Sequence, residues 1–165
     1  MVDYIHFTLL DNLGEERKLK INPDDGNEIY LWRVCKTKPS YWYRCSLNER
    51  KGYYRIRVSS KDYTIHRVCY YAHNPNWDIY DSSQDNQIDH RDRNKTNNHI
   101  TNLRVATHSQ NQENQNAKGY YYCNTYRRWV AQIKHNKKLY RKRCKTEEEA
   151  KIARAELKKK YHTFV

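Results

Sequence analysis

The chain has 165 residues, of which only 37% are hydrophobic even with 16 tyrosines counted in, so its cores are expected to be thin and finished by aromatic rings whose hydroxyls reach water. The 32 Lys and Arg outnumber the 19 Asp and Glu, giving a net charge of +13, a field that draws a polyanion and favours nucleic acid over a membrane surface. No stretch approaches the roughly 20 apolar residues of a spanning helix, and residues 1–10 lack the basic start and long apolar run of a secretory signal.

Five cysteines, Cys35, Cys45, Cys69, Cys123 and Cys144, form no Cys-x-x-Cys pair. An odd set without that spacing is expected to be reduced thiols of a cytoplasmic protein, with neither a disulfide framework nor structural zinc.

Residues 3–10 alternate Ile5, Phe7 and Leu9 with polar neighbours, the period of a half-buried strand. A turn at residues 11–14, a strand around Leu19 and Ile21, a turn at 23–27, and strands over 29–35, 41–47 and 53–58 make an antiparallel meander, broken by turns at Pro39-Ser40 and Lys51-Gly52. Residues 59–62 are the loop of a hairpin returning along Tyr63, Thr64 and Ile65. Residues 66–73 read as a short helix stopped by Asn74-Pro75, followed by an irregular connection over 77–85. Arg67 on that helix is a candidate phosphate contact.

Residues 87–111 hold the one spaced set that composition would not produce. Cutting a phosphodiester needs a water nucleophile, a base to take its proton and a cation to hold the phosphate and leaving oxygens. Asp89 offers a hard carboxylate suited to magnesium, and His90 an imidazole whose ordinary pKa of about 6.5 suits a base at neutral pH. Neighbours in a strand point to opposite faces, so both serve one site only if the strand ends there and the chain turns. Asn102, 12 residues after His90, falls on the return strand, where its amide can tie the loop together and orient the base. Thr107 and Gln110 make a capping-box pattern, and Asn111, 9 residues after Asn102, lies in the first turn of the helix they open.

Asp89-His90, Asn102 and Asn111 resemble the HNH motif of the His-Me finger, or ββα-metal, nucleases, with the nearest likeness to the homing endonucleases of phages and introns, whose final ligand is asparagine. The resemblance runs over residues 52–115. It implies that His90 is the general base, Asp89 and Asn111 the ligands of one Mg2+ that Mn2+ can replace, and Asn102 the structural asparagine. The family pattern has Asp-Gly where this chain has Asp92-Arg93, which bears on the turn of the loop. Arg91, Arg93 and Lys95 join Arg67 as candidate DNA contacts.

From Lys118 the sequence alternates over residues 119–122, 127–134 and 138–143, with turns at Asn124-Thr125 and His135-Asn136, which predicts three antiparallel strands. Thr146 and the glutamates after it cap a helix reaching about Tyr161, with Ala150, Ala153 and Leu157 in an apolar stripe. Residues 118–164 resemble the APETALA-two, ethylene-response-factor-like DNA-binding domain. Arg127, Arg128, Gln132, Lys134, Arg141 and Arg143 would then form a basic ribbon for the major groove. Trp129 fits either that ribbon or a sheet-helix core.

The expected protein is α+β: a β-rich amino-terminal region over 1–52, a ββα-metal HNH core over 53–117, and a three-stranded sheet packed on one helix over 118–165. Its expected activity is metal-dependent cleavage of double-stranded DNA at a specific site, with no membrane and no obligatory protein partner. A DNA-binding protein with an inactive core and a restriction or defence nuclease are the alternatives.

Overall fold

In the computed structural model, which describes residues 2–115, 117–135, 138–162 and 164, the chain divides into two units, residues 1–105 and 106–165. The fold class is α+β, as expected.

The first unit begins with four strands, β1 Ile5–Leu10, β2 Glu16–Asn22, β3 Asp25–Arg33 and β4 Tyr41–Arg44, in an antiparallel sheet ordered β1-β2-β3-β4. The meander expected from sequence divides after β4. A second sheet joins β5 Asn48–Arg50, β6 Tyr53–Val58 and β7 Lys61–Thr64. β5 has no sequence signature because all three of its residues are exposed. The turn before β3 is shorter than expected, and β3 starts at Asp25.

Helix α1, Ile65–His73, buries Ile65, Val68, Cys69 and Ala72, the i, i+3, i+4, i+7 stripe of an amphipathic helix. It ends at Asn74, whose backbone N–H donates to Tyr70 O, just before Pro75. One core then joins Leu9, Leu19, Ile21 and Ile29 of the first sheet to Ile56 and Val58 of the second, to Val68 of α1, and to Ile88 and Leu103 further along. Residues 1–52 thus share a hydrophobic core with the segment that carries the motif. Strands β8 Gln87–His90 and β9 Leu103–Ala106 pair in a two-stranded sheet, with a 3-10 turn at Ile100–Asn102 leading into β9.

The second unit contains helix α2, His108–Glu113, opened by the expected capping box: Thr107 accepts from the Gln110 N–H and the Gln110 side chain accepts from the Thr107 N–H. Strands β10 Tyr120–Cys123, β11 Arg128–His135 and β12 Lys138–Cys144 form an antiparallel sheet in that order, followed by α3, Glu147–Tyr161. Ala131 and Cys144 bury against Ala150 and Ala153, with Tyr120, Trp129 and Leu157 packed around them. Trp129 therefore belongs to the sheet-helix core. The turn expected at His135-Asn136 includes Asn136, which lies outside the described residues. All five cysteines are free thiols. Among the described residues no helix is long and apolar enough to cross a membrane.

Candidate active site and nucleic-acid face

Strand β8 ends at His90 and the backbone turns at once, the Arg93 N–H closing on His90 O at 3.0 Å. Asp89 and His90 are both buried, and their side chains take different partners. Arg104 reaches Asp89 Oδ2 from Nε at 2.9 Å and from Nη2 at 2.9 Å. The His90 ring places Nε2 3.0 Å from Asn98 Oδ1, and packs within 5.3 Å of His66 and 6.1 Å of Tyr53, centroid to centroid.

Burial holds the His90 pKa below the ordinary imidazole value, against a smaller opposing effect of the Asn98 bond. His66 is driven further, down to about 3, chiefly by burial and then by the neighbouring His90, Arg67 and Arg55 charges. Burial thus favours the neutral form of both rings, the state in which an imidazole accepts a proton.

Asn102 ties the loop after β8 from three sides. Its Nδ2 donates to Asp92 Oδ1 at 2.9 Å and to Asn97 O at 2.8 Å, while its Oδ1 accepts from the Asp92 N–H at 3.0 Å. Its own carbonyl receives the Arg91 N–H at 2.8 Å. Asp92 is the other hub, accepting also from the Asn94 N–H and from Asn97 Nδ2. Burial works to raise its pKa, but these bonds outweigh it and hold the carboxyl below its usual range. Arg93 stands where the family pattern has glycine and adopts the left-handed φ of 65° that glycine would take. The turn is therefore kept without the residue that makes it easy.

Asn111 lies on α2 in the second unit, its N–H donating to Thr107 O at 2.9 Å. The side-chain oxygens of Asp89 and of Asn111 are each hard donors of the kind magnesium takes.

The cationic residues separate by what they touch. Arg67 donates to three backbone carbonyls, of Ile79, Asp81 and Asn86, at 2.7 to 2.9 Å and stacks over Trp77. Its guanidinium pins the connection between α1 and β8, a structural role beside the expected phosphate contact. Arg91, Arg93 and Lys95 are exposed on the loop, Lys95 lying over the Tyr53 ring at 4.5 Å.

In the second unit the strand register sorts the side chains. Val130 pairs with Arg143, Gln132 with Arg141 and Lys134 with Leu139, whereas Trp129 pairs with Cys144 and Ala131 with Lys142. Alternation then puts Arg128, Gln132, Lys134, Arg141 and Arg143 on the face opposite α3. Tyr121, Cys123, Tyr126, Val130, Arg141 and Arg143 line a shallow hollow on this face, with Arg143 4.2 Å over the Tyr126 ring. Arg127 is exposed in the turn before β11, at φ 42°.

Arg104, Asn98 and Asn27, which contacts Asn98, went unnoticed in the sequence. Arg104 sits two residues beyond Asn102 on a strand, so the period-two rule applied from Leu103 would have set it apart from the core face. Asn98 is one of four asparagines between residues 94 and 102, and nothing local distinguishes it.

Asp89 and His90 thus close strand β8, with β9 and α2 following in β-β-α order along the chain. Residues 63–113 match the family model described as HNH_3, HNH endonuclease. The chain accordingly carries an HNH endonuclease domain over this stretch, the domain of a DNA phosphodiester hydrolase. Comparison with curated proteins and with solved structures gave no significant match.

Proposed function

We propose that the chain is a site-directed endonuclease of the homing type found in phages and mobile introns, acting on double-stranded DNA in a cytoplasm. His90 takes the proton of the water that attacks the scissile phosphate in line, leaving a 5′ phosphate and a 3′ hydroxyl. Asp89 and Asn111 would hold one magnesium ion, which when bound neutralises charge on the phosphate and on the leaving oxygen. Asn102 keeps the loop that follows the base in one shape. Arg91, Arg93 and Lys95 contact phosphates near the cut. The carboxyl-terminal sheet, used in the manner of an APETALA-two domain, lays Arg128, Gln132, Lys134, Arg141 and Arg143 in the major groove, with Arg127 at its edge.

The observation that carries this reading is the buried, hydrogen-bonded His90 beside Asp89 within the segment that matches the HNH endonuclease model. The test is nicking of supercoiled plasmid with magnesium, wild type against His90→Ala. A general base typically contributes about 100- to 10,000-fold, so the variant should lose that much rate and keep its DNA affinity. Equal rates would remove His90 from the mechanism. Sequencing the ends produced on a library of DNA targets tests the homing part, since cutting without site preference would exclude it.

A further inference from the structure

We infer that the amino-terminal sheet sets the tautomer of the catalytic base through Asn27 and Asn98, so that His90 carries its proton on Nε2 and accepts one at Nδ1. This rests on the nuclease reading and adds to it two positioning residues, one of them outside the family-matched segment. Neither residue touches the reacting atoms.

The hydrogen-bond chain has one fixed end. The backbone carbonyl of Thr96 can only accept, and it receives Asn27 Nδ2 at 3.1 Å. The Asn27 amide is thereby oriented with Oδ1 turned to Asn98, whose Nδ2 donates to it at 2.7 Å and also lies 3.4 Å from Thr96 O. With its nitrogen committed on that side, Asn98 presents Oδ1 to His90 Nε2 at 3.0 Å. An oxygen there requires a proton on Nε2. Reversing either amide would set oxygen against oxygen, and Asn98 is only 1% exposed, with no solvent to relieve such a clash.

The sheet is fitted to deliver this contact. Gly26, just before Asn27 on β3, lies so close that a Cβ there would stand 2.1 Å from Asn98 O and 3.0 Å from Cys69 Sγ. Glycine lets β3 reach the loop. Residues 26 and 27 thus contribute to a site whose motif begins more than sixty positions later in the chain.

The experiment is long-range 1H–15N correlation spectroscopy on the full chain with 15N-labelled histidine near neutral pH, the His90 signals being identified by their loss in His90→Gln. Wild type should show the Nε2–H pattern for His90. Asn98→Ala should show a mixture of the two tautomers and a kcat lowered by less than the about 100-fold at the low end of a general base's contribution, with DNA Kd unchanged. Asn27→Ala, at a half-buried position that tolerates truncation better, should move the spectrum the same way to a smaller extent. An Nδ1–H pattern in wild type, or a His90 spectrum untouched by both substitutions, overturns the inference. The tautomer is read without any cutting, so an Nε2–H wild type that never nicks DNA would sink the nuclease reading and leave the tautomer assignment in place.

Discussion

Arg104 and buried Asp89 form an ion pair in which Nε and Nη2 of the guanidinium both reach one carboxylate oxygen, Oδ2, at 2.9 Å. The carboxylate proposed to hold the metal is therefore positioned from β9 by a residue that sequence analysis did not select. Removing one partner of a fully buried pair typically costs about 3–5 kcal/mol, which sets the upper bound for this partly exposed one. Arg104→Met should lower stability by up to that amount in urea unfolding without metal, and magnesium should restore part of it. Arg104→Lys should rescue poorly, because an ammonium cannot reproduce the planar two-nitrogen contact. Unchanged stability in Arg104→Met would show that Asp89 needs no counter-charge from β9.

How far the site could be read in advance follows from the range of its interactions. Asp89, His90, Asn102 and Asn111 stand at spacings the chain displays directly, and the capping box at Thr107 and Gln110 is local, so the β-β-α order was legible. The alternation of Ile5, Phe7 and Leu9 likewise gave β1 to within two residues. Asn27 and Asn98, by contrast, meet across 71 positions, and no local pattern marks one polar turn residue as the partner of another. The structural role of Arg67 was hidden for a related reason: its three acceptors are carbonyls of a loop without periodicity.

Acid should destabilise the first unit earlier than its carboxylates alone would. His66 and His90 have folded pKa values below the unfolded imidazole value of about 6.5, His66 near 3. The unfolded chain therefore binds more protons than the folded one below pH about 6.5, and stability falls as pH falls through that window. The contribution is fully present above about 6.5 and is lost progressively toward the folded values. Melting temperatures between pH 7.5 and 4.5 should decline in wild type and decline less steeply in His66→Gln. An identical slope would mean that His66 titrates normally in the folded protein.

Arg93 offers a substitution with distinct effects on backbone strain and on binding. Its left-handed φ of 65° costs an L-residue roughly 1 kcal/mol or more, a strain glycine escapes, although glycine gives back part of that through a freer unfolded chain. Arg93→Gly should therefore relieve that backbone strain, limiting any loss of stability, while weakening DNA binding and reducing its salt dependence, as expected when one phosphate contact is removed. A stability loss of more than about 1 kcal/mol would show that the Arg93 side chain holds the loop and is not simply tolerated there.

The strand register of the carboxyl-terminal sheet separates neighbouring cations by face. Arg141 and Arg143 lie opposite Gln132 and Val130, on the side away from α3, whereas Lys142 between them lies opposite Ala131 on the helix side and pairs with Glu156 at 2.9 Å. If the face opposite α3 lies on DNA, Arg141→Ala and Arg143→Ala should each weaken binding and reduce the slope of log K against log salt by about 0.9. Lys142→Ala, which removes the same charge from the same strand, should leave the slope nearly unchanged. Measuring the three variants by fluorescence anisotropy over a salt series distinguishes a directed contact from general attraction by the net charge. Three equal slopes would assign the effect to the overall field and withdraw the sheet from the proposed groove contact.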